Sequence, residues 1–172
     1  MLLTMDGRNI LAVRIDNRLV HGQVGVTWAA FIRPEVIVVA DDAAAEDTLQ
    51  QRLMRAIIDP MNIQLKVFSI GAFPDALRHT ADERRVFLVV RNIEELARIV
   101  DQGVALREVN LGNLHYEHGK KPLTRKVYIN DSDARLLQHL MAQGIRFYAQ
   151  DIPGTAREEI NDLDAQYFRR FE

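Results

Sequence analysis

The chain is organised around the stretch Val13-Arg14-Ile15-Asp16-Asn17-Arg18-Leu19-Val20-His21-Gly22-Gln23-Val24. The apolar run Ile10–Ile15 leads into it, and apolar residues at helical spacing follow it. The quoted stretch contains two arginines, an aspartate, a histidine and a glycine. In open α/β sheets, ligands bind outside the carboxyl ends of the strands, where the chain turns into the next helix. The stretch therefore predicts a strand, a charged functional loop and a helix, in that order.

Short apolar runs alternate with helical patterns along the rest of the chain. With the first strand, the predicted strands number seven, and the other six lie at residues 36–40, 65–70, 86–90, 108–112, 126–129 and 145–149. Continuous apolar runs are typical of strands covered on both faces, whereas the run at 126–129 is polar enough for an edge strand. The alternation predicts an α/β fold, an open and mostly parallel seven-stranded sheet with helices on both faces.

The helical patterns also predict which side chains face the core. The first helix, of two to three turns, is expected to bury Val24, Thr27, Trp28 and Phe31, and the second to bury Leu49, Leu53, Ala56 and Ile57. We further expect a helix capped by Asn92 with Glu95, a helix capped by Asp131 or Ser132, and a final helical segment from residue 156 towards 171.

Length and composition favour a single domain over residues 1–172, with residues 1–8 as a loose leader before the first strand. A net charge of −2 gives no reason to expect nucleic-acid binding, and the absence of cysteine excludes disulfides and thiolate chemistry. No apolar run approaches the roughly 20 residues that span a bilayer, and no signal peptide precedes the first strand. We therefore expect a cytoplasmic protein.

His21 is the leading candidate for chemistry. It lies at the predicted N-terminus of the first helix, where free backbone N–H groups favour an anion, and its neutral imidazole is nucleophilic near pH 7. Arg18 and Arg14 could grip phosphate oxygens, while Asp16 could bond one ring nitrogen so that the other attacks. We hypothesise a histidine that accepts a phosphoryl group. The alternatives are a capping or surface histidine, and an Arg14 that only pairs with an acid.

Three further residues are candidates for the same site. Gly22 lets the backbone approach a bound group without a Cβ in the way. Asp41, followed by Asp42, ends the second strand, and Asn110 lies in the fifth. Because the carboxyl ends of parallel strands share one edge of a sheet, both could line the crevice with His21. The aspartate pair could equally cap a helix.

His115 and His118, with Glu117 between them, raise the alternative of a metal-dependent hydrolase. No third ligand motif accompanies the pair, and Lys120 and Lys121 follow directly, so we expect no metal. The chain also lacks GxGxxG after a strand, GxxxxGK[ST] and GxSxG. Nucleotide-dependent kinases and α/β-hydrolases therefore lack their basic parts here, and we expect no cofactor.

Residues 14–24 closely resemble R-[IV]-D-x-R-x-x-H-G-Q-V, the signature of IIB components of the mannose/fructose/sorbose family of the bacterial sugar phosphotransferase system. Residues 38–42, 110–113 and 126–129 resemble further segments of that family, so the similarity runs from Asn9 to the C-terminus. The resemblance implies an open sheet of seven strands, parallel except at one antiparallel edge. One departure is Asn17, which stands where aspartate is common.

The resemblance also implies an enzyme, a protein-N(pi)-phosphohistidine–sugar phosphotransferase. Such proteins receive the phosphoryl group from a phosphohistidine of a IIA domain and carry it on Nδ1 of the loop histidine, His21 here. They pass it to a sugar bound by the membrane-embedded IIC and IID subunits during uptake. We therefore expect a peripheral association with those subunits, and the family gives some reason to expect a homo-oligomer. Mannose, fructose, sorbose and N-acetylgalactosamine systems share the motif.

Arg18 and Asp16, at matching positions, are expected to hold the phosphoryl group and to orient the ring of His21. The residues expected around the phosphate are Arg14, Gly22, Gln23, Asp41 and Asn110. An alternative function is that of a regulatory IIB-like protein, phosphorylated on His21 as a signal without a role in transport.

Overall fold

A seven-stranded sheet lies at the centre of the structure, a computed structural model that describes residues 5–6, 9–79, 84–160, 162–164 and 167. The strands within these residues are β1 Met5–Asp6, β2 Ile10–Ile15, β3 Val36–Ala40, β4 Gln64–Phe68, β5 Val86–Val90, β6 Val104–Ala105, β7 Glu108–Leu111, β8 Lys121–Pro122, β9 Tyr128–Ile129, β10 Arg146–Ala149 and β11 Glu158–Ile160. The central sheet has the order β11-β10-β7-β2-β5-β3-β4.

Helices flank the strands. Helix α1 begins as the π-helical segment Gly22–Trp28 and continues as the α-helix Ala29–Ile32. The others in the described ranges are α2 Asp42–Glu46, α3 Thr48–Ile58 (followed by the 3₁₀ turn Asp59–Met61), α4 Phe73–His79, α5 Ile93–Asp101 and α6 Asp131–Ala142. All neighbouring strands of the central sheet are parallel except β11, which is antiparallel to β10. The predicted α/β fold with one antiparallel edge is thereby confirmed.

The sheet is covered on both faces, and its strands divide their side chains between two cores. Ile37 of β3 packs with Trp28 of α1 and Met54 of α3, whereas Val38 belongs to the core that contains Leu96 of α5. Helix α1, which follows β2, therefore lies on the face opposite α5, which follows the neighbouring strand β5. Such a reversal opens a crevice at the carboxyl end of β2, where the predicted functional loop begins.

The sheet gains its seventh strand from an unexpected segment. Residues 126–129 were predicted as its edge strand, but Tyr128–Ile129 pairs with Lys121–Pro122 in a separate antiparallel ribbon and is not part of the central sheet. Glu158–Ile160 forms the edge instead, so the helix predicted from residue 156 is wrong at its start, whereas residues 163, 164 and 167 are helical as predicted. The three residues of this strand are too few to show a strand period, and pairing with β10 satisfies their backbone groups. Residues 161, 165–166 and 168–171 of the predicted helix lie outside the described residues.

The buried face of helix α3 differs from the predicted one. Leu49 and Leu53 are 65% and 61% exposed, and Met54 and Ile58 are buried in their place. A Cβ at Gly25 of α1 would lie 2.6 Å from Cγ2 of Ile57, so the two helices approach closely at the glycine. This close contact fixes which side of α3 turns inward, and the hydrophobic spacing did not reveal it.

The first helix shows a similar shift. Val24 and Trp28 are buried as predicted, but Thr27 is exposed and Phe31 is 68% exposed. The π-helical turns of residues 22–28 hold more residues than α-helical turns. Side chains after them are therefore rotated away from positions that a 3.6-residue period predicts.

Helix α5 begins as predicted, with the Asn92 side chain accepting a hydrogen bond from the backbone N–H of Glu95. The Glu95 carboxylate accepts from the backbone N–H of Arg91, one residue before the cap. Gly103, with φ of 88°, follows the helix in the left-handed conformation that favours glycine.

Helix α6 is capped one residue earlier than predicted. Asn130 accepts from the backbone of Asp133, whose carboxylate accepts from the backbone of Asn130, so neither Asp131 nor Ser132 is the cap. The reciprocal pair satisfies two N–H groups at once, which favours Asn130. Gly144, with φ of 90°, follows the helix end as predicted.

The predicted leader, residues 1–8, is described only in part. Met5–Asp6 pairs in parallel with Val104–Ala105, and the other six positions lie outside the described residues. Across the part of the chain that the structure describes, no helix is both long and apolar enough to cross a membrane.

Candidate functional site

The loop after β2 is tied to the strands on both sides of it. The backbone N–H of Asp16 donates to the carbonyl of Val90 at the end of β5 (2.9 Å), and that of Asn17 donates to the carbonyl of Asn113 beyond β7 (3.1 Å). Leu19 then adopts a φ of 56°, a strained conformation for a branched side chain, and is fully buried. Strain of this kind persists where the surrounding contacts hold it, and it is concentrated at functional sites.

His21 follows this strained turn and immediately precedes α1. Its ring is 17% exposed, and Nε2 is shielded from solvent and lies 3.1 Å from Oδ2 of Asp16, without the alignment of a good hydrogen bond. Its carbonyl accepts from the N–H of Gly25, so His21 stands at the helix N-terminus, as predicted. One ring nitrogen therefore faces a buried carboxylate, which leaves Nδ1 as the nitrogen that can meet a reactant.

Asp16 is fully buried, and its two oxygens are divided between the arginines of the motif. Oδ2 faces Nε and Nη2 of Arg14 at 3.2 and 3.0 Å, and Oδ1 accepts from the backbone N–H of Arg18 at 3.1 Å. Burial acts to raise the pKa of Asp16, but the contact with His21 and the charge of Arg14 outweigh it, so the pKa lies below its ordinary value. Asp16 therefore remains a carboxylate beside His21.

Arg14 supports the loop from beneath. It is 1% exposed, and its Nη1 donates to the carbonyl of Gln150 (3.0 Å) and to the Asn110 side-chain oxygen. Its guanidinium carbon lies 5.1 Å from the centre of the Trp28 ring, and a Cβ at Gly112 would overlap the guanidinium. Burial lowers the pKa of Arg14, and the Asp16 carboxylate counteracts that effect. These contacts match the alternative that the sequence left open, in which Arg14 lies at the end of a strand and pairs with an acid.

Arg18 is the arginine that reaches solvent. Its side chain is 48% exposed, Nη2 donates to Oε1 of Gln23 at 3.3 Å, and Nε lies 4.0 Å from Oδ1 of Asp16. The side-chain amide of Asn113 is oriented so that its oxygen faces donors and its nitrogen faces acceptors. In this orientation the oxygen accepts from Nε and Nη2 of Arg18 at 2.6 and 2.9 Å. The same oxygen lies 2.8 Å from Nε2 of His115. A half-exposed guanidinium beside the His21 loop is suited to contact an anion there.

The remaining predicted phosphate residues occupy three different settings. Gly22 is exposed, and a Cβ there would have no atom within 4 Å. Asn110 is buried beneath the loop and donates through Nδ2 to the carbonyl of Gln150 (3.3 Å). Asp41 is buried and caps α2 through the N–H of Ala44 (2.6 Å), as the capping alternative predicted. Direct contacts join Asn110 and Gln23, but not Asp41, to the arginines of the motif.

Asp41 is connected to the loop through a residue that the sequence reasoning missed. Nε and Nη2 of Arg91 donate to its two oxygens at 2.5 and 2.9 Å, and Nη1 donates to the carbonyl of Asn17 at 3.2 Å. Glu95 lies against the same pair, where burial and then the charge of Asp41 raise its pKa to about 7. Arg91 lies fifty residues from Asp41, and no pattern in the sequence indicated this contact.

A cavity of about 390 Å³ opens beside the supporting network, outside the ends of β7 and β10. Gly112 and Gln150 form part of its wall, and both also contact Arg14. Arg125 and Glu158 line it as well, so its wall carries both signs of charge. His21 and Arg18 are not among its lining residues.

The histidine pair considered for a metal is placed differently from a ligand pair. His115 lies near Asn113 and Arg18, whose charge disfavours a cation, and His118 is exposed. Within the described ranges, no group of three His, Cys, Asp or Glu side chains is arranged to hold a metal ion. The structure thus places His115 at the periphery of the His21 loop.

These parts can act together on a phosphoryl group. A neutral histidine with its proton on Nε2 attacks through Nδ1, and the ring then becomes positively charged beside the Asp16 carboxylate. Arg18 and the N–H groups at the start of α1 can compensate negative charge on the transferred oxygens. Phosphoryl transfer depends on positioning and charge compensation more than on covalent catalysis, and the loop has groups that can supply both.

Comparison with known proteins identifies relatives over nearly the whole chain. The family model described as PTS system sorbose subfamily IIB component matches residues 10–170. The N-acetylgalactosamine-specific phosphotransferase enzyme IIB component 1 of Escherichia coli (strain K12) is 39% identical over 158 residues, which span 92% of this chain and 100% of that protein. The PTS system sorbose-specific EIIB component of Klebsiella pneumoniae is 28% identical over 159 residues, or 89% of this chain and 96% of that protein.

Solved structures agree with the sequence relatives. The crystal structure of the Escherichia coli N-acetylgalactosamine-specific IIB component 1 superposes with a TM-score of 0.84 and covers 88% of this chain and 99% of that one. A PTS-dependent N-acetylgalactosamine IIB component from Streptococcus pyogenes, 31% identical, also gives 0.84 and covers 93% and 99%. From its sequence, its fold and the loop that carries His21, this chain belongs to the IIB components of the sorbose/mannose family of the sugar phosphotransferase system.

Proposed function

We propose that this protein accepts a phosphoryl group on Nδ1 of His21 from a phosphohistidine of a IIA protein and transfers it to a sugar that enters through IIC and IID membrane subunits. In the first step, the P–N bond of the donor breaks as the P–Nδ1 bond of His21 forms. In the second step, the P–Nδ1 bond breaks and its electron pair returns to Nδ1, while a P–O bond to a sugar hydroxyl forms and the hydroxyl proton passes to water. Neither step needs a nucleotide.

The observation that carries this proposal is the contact of His21 Nε2 with Oδ2 of Asp16 at 3.1 Å. A carboxylate at Nε2 favours the tautomer that keeps its proton there, so the lone pair lies on Nδ1. The low pKa of Asp16 keeps that carboxylate charged, and it stabilises the imidazolium that forms when Nδ1 is phosphorylated. Asp16 therefore serves both steps, as the imidazole alternates between the free and the phosphorylated form.

Arg18 is assigned to the phosphoryl oxygens. It is the half-exposed arginine of the loop, and Asn113 and Gln23 hold its guanidinium at the surface. A guanidinium contacts two phosphate oxygens at once and needs no proton transfer. Arg14, by contrast, directs its donors to Asp16, Asn110 and Gln150, so we assign it to holding Asp16 in place.

The names of relatives suggest where to begin with the sugar. Two relatives, at 39% and 31% identity, are named for N-acetylgalactosamine, so this amino sugar is the first candidate substrate. The mannose-specific EIIAB component of Escherichia coli, 28% identical to this chain, is named as a combined IIA and IIB protein, which supports a IIA protein as the donor. Transfer to a sugar held in the membrane requires this protein to dock on the membrane subunits while it is phosphorylated.

The test is phosphoryl transfer in vitro. The protein is incubated with a IIA protein phosphorylated with ³²P, and acid-labile label on this chain is followed over time. Wild-type protein should be labelled, and His21→Ala should stay unlabelled. His139→Ala is the matched control, because His139 is an exposed histidine on α6, and it should be labelled like wild type. Label on His21→Ala at the wild-type rate would refute the proposal.

A further inference from the structure

The backbone N–H and carbonyl of Asn17 are both hydrogen-bonded, and Arg91 forms one of these two contacts. We propose that Arg91 is a positioning residue for phosphoryl transfer: anchored by Asp41, it holds the carbonyl of Asn17 and thereby sets the path of the loop to His21. This inference rests on the proposed function, since it assigns a role in the same reaction.

The contacts of Arg91 use three nitrogens for two purposes. Nε and Nη2 donate to the two oxygens of Asp41 at 2.5 and 2.9 Å, in a bidentate arrangement that fixes the plane of the guanidinium. Nη1 remains on the other side and donates to the carbonyl of Asn17 at 3.2 Å. Asp41 is itself fixed, because it is buried and caps α2. The guanidinium is thus a rigid spacer between a buried helix cap and the loop.

The backbone N–H of Asn17 is also held by a hydrogen bond. It donates to the carbonyl of Asn113 beyond β7, at 3.1 Å, while the carbonyl of Asn17 receives Arg91 beyond β5. The residue before it, Asp16, donates to Val90 at the end of β5. The loop is therefore clamped between the two strands that flank β2, immediately before the chain enters the left-handed conformation at Leu19.

The clamp matters for the reaction because of the neighbours of Asn17. Asp16, which faces His21, precedes it, and Arg18, assigned to the phosphoryl oxygens, follows it. The N–H of Arg18 lies in the same peptide unit as the Asn17 carbonyl and donates to the Asp16 side chain, so movement of that unit shifts both groups. A misplacement of about 1 Å can cost about 10²-fold in rate. Arg91 therefore acts through the loop without touching the phosphoryl group.

This role also accounts for Asp41, which the sequence placed near the phosphate. Its two oxygens receive Arg91 and the N–H of Ala44, and its negative charge would repel a phosphoryl group. Asp41 therefore contributes to the site indirectly, by anchoring Arg91. Arg91 is 30% exposed, so water can reach the carbonyl of Asn17 when the guanidinium is removed.

The experiment compares Arg91→Ala with Arg98→Ala. Arg98 is the matched control because it lies on α5, pairs with the neighbouring Asp42 at 2.9 Å and makes no contact with the loop in the described structure. Rapid-quench transfer from a phosphorylated IIA protein is measured over a range of donor concentrations. Arg91→Ala should lower the maximal rate by roughly 10- to 100-fold and change the apparent KM by less than about threefold. Arg98→Ala should keep the wild-type rate.

Two further measurements keep the inference separable from protein stability and from the proposed function. Arg91→Lys should retain an intermediate rate, because one ammonium cannot serve Asp41 and Asn17 in the fixed geometry of a guanidinium. Amide NMR spectra of the unphosphorylated proteins should show shifts at residues 17–22 in Arg91→Ala but not in Arg98→Ala.

The outcomes separate the two claims. If Arg91→Ala transfers within twofold of wild type, or if its amide shifts match those of Arg98→Ala, the positioning role is wrong while the proposed function stands. If the IIA donor fails to label wild-type protein, the proposed function fails and the role in transfer fails with it. The NMR comparison then still decides whether Arg91 holds the loop.

Discussion

Nε2 of His21 lies 3.1 Å from Oδ2 of Asp16, and this carboxylate is fully buried and held by Arg14 from below. The pair places a permanent negative charge at one nitrogen of the ring and leaves the other for the reaction. The proposed reaction requires this relationship to stay fixed while two different proteins approach the loop in turn, and the contacts of the surrounding strands serve that purpose.

Replacing Asp16 with asparagine should damage both stability and transfer. Arg14 would remain buried without its counter-charge, at a cost of about 3 kcal/mol in the free energy of unfolding. An asparagine amide can also donate to Nε2, which favours the tautomer with its proton on Nδ1, so the transfer rate should fall by at least about 10²-fold. Urea unfolding and rapid-quench transfer measure the two effects, and a wild-type rate in folded Asp16→Asn would remove Asp16 from the reaction.

Arg18→Ala should act on the reaction alone. The side chain is half exposed, so its removal should change the free energy of unfolding by no more than about 0.5 kcal/mol. Loss of the charge that compensates the phosphoryl oxygens should slow transfer by about 10²- to 10³-fold. Arg52→Ala, an exposed arginine on α3, is the control and should transfer normally. Equal rates for the two variants would show that Arg18 does not contact the phosphoryl group.

Gly112→Ala should displace the guanidinium of Arg14, because the new Cβ would overlap it. Buried groups around Arg14 then lose hydrogen bonds, which should lower the free energy of unfolding by about 1–3 kcal/mol. Gly71→Ala is the matched control, since a Cβ at Gly71 meets no atom within 4 Å. Thermal or urea unfolding of the two variants gives the comparison, and equal stability would mean that Arg14 can move aside without cost.

Glu95→Gln should change how stability depends on pH. The folded state raises the pKa of Glu95 to about 7, so it binds this proton more tightly than the unfolded chain does. The stabilising contribution is fully present below the unfolded pKa of about 4.3 and is lost as pH rises towards 7. Glutamine stays neutral, so the variant should gain about 1–2 kcal/mol over wild type at pH 8 and match it near pH 4.

Urea unfolding across this pH range measures the effect. The same pH dependence in both proteins would show that Glu95 ionises normally beside Asp41. A loss of stability in Glu95→Gln at every pH would instead show that the side chain serves as a hydrogen-bond acceptor alone.

Strands that are buried on both faces could be predicted from the sequence almost to the residue. Val36–Ala40 and Val86–Val90 match their predictions, because continuous apolar runs leave little choice of boundary, and Ile10–Ile15, buried only in its second half, also matches. Glu158–Ile160 could not be predicted, since its strand character comes from pairing with β10 rather than from its own sequence. The inward face of α3 also depended on a contact between two helices, at Gly25.

In the candidate site, too, residues of one local motif could be predicted, and residues that meet only through the fold could not. The sequence located His21, Asp16 and Arg18 because they lie within one short motif, and the structure brings them into contact. It did not reveal Arg91 or the role of Gln150, whose contacts with the loop and its support span 74 and 136 residues. Contacts over such separations leave no local pattern, so a single sequence carries no sign of them.

The most direct test of the proposed reaction is the identity of the phosphorylated nitrogen. The protein is phosphorylated by a IIA donor, and ³¹P and ¹⁵N NMR distinguish phosphate on Nδ1 from phosphate on Nε2. We predict a single phosphohistidine, at Nδ1 of His21, with Nε2 still protonated beside Asp16. Phosphate on Nε2 of His21, or on another histidine such as His115, would contradict the proposed mechanism.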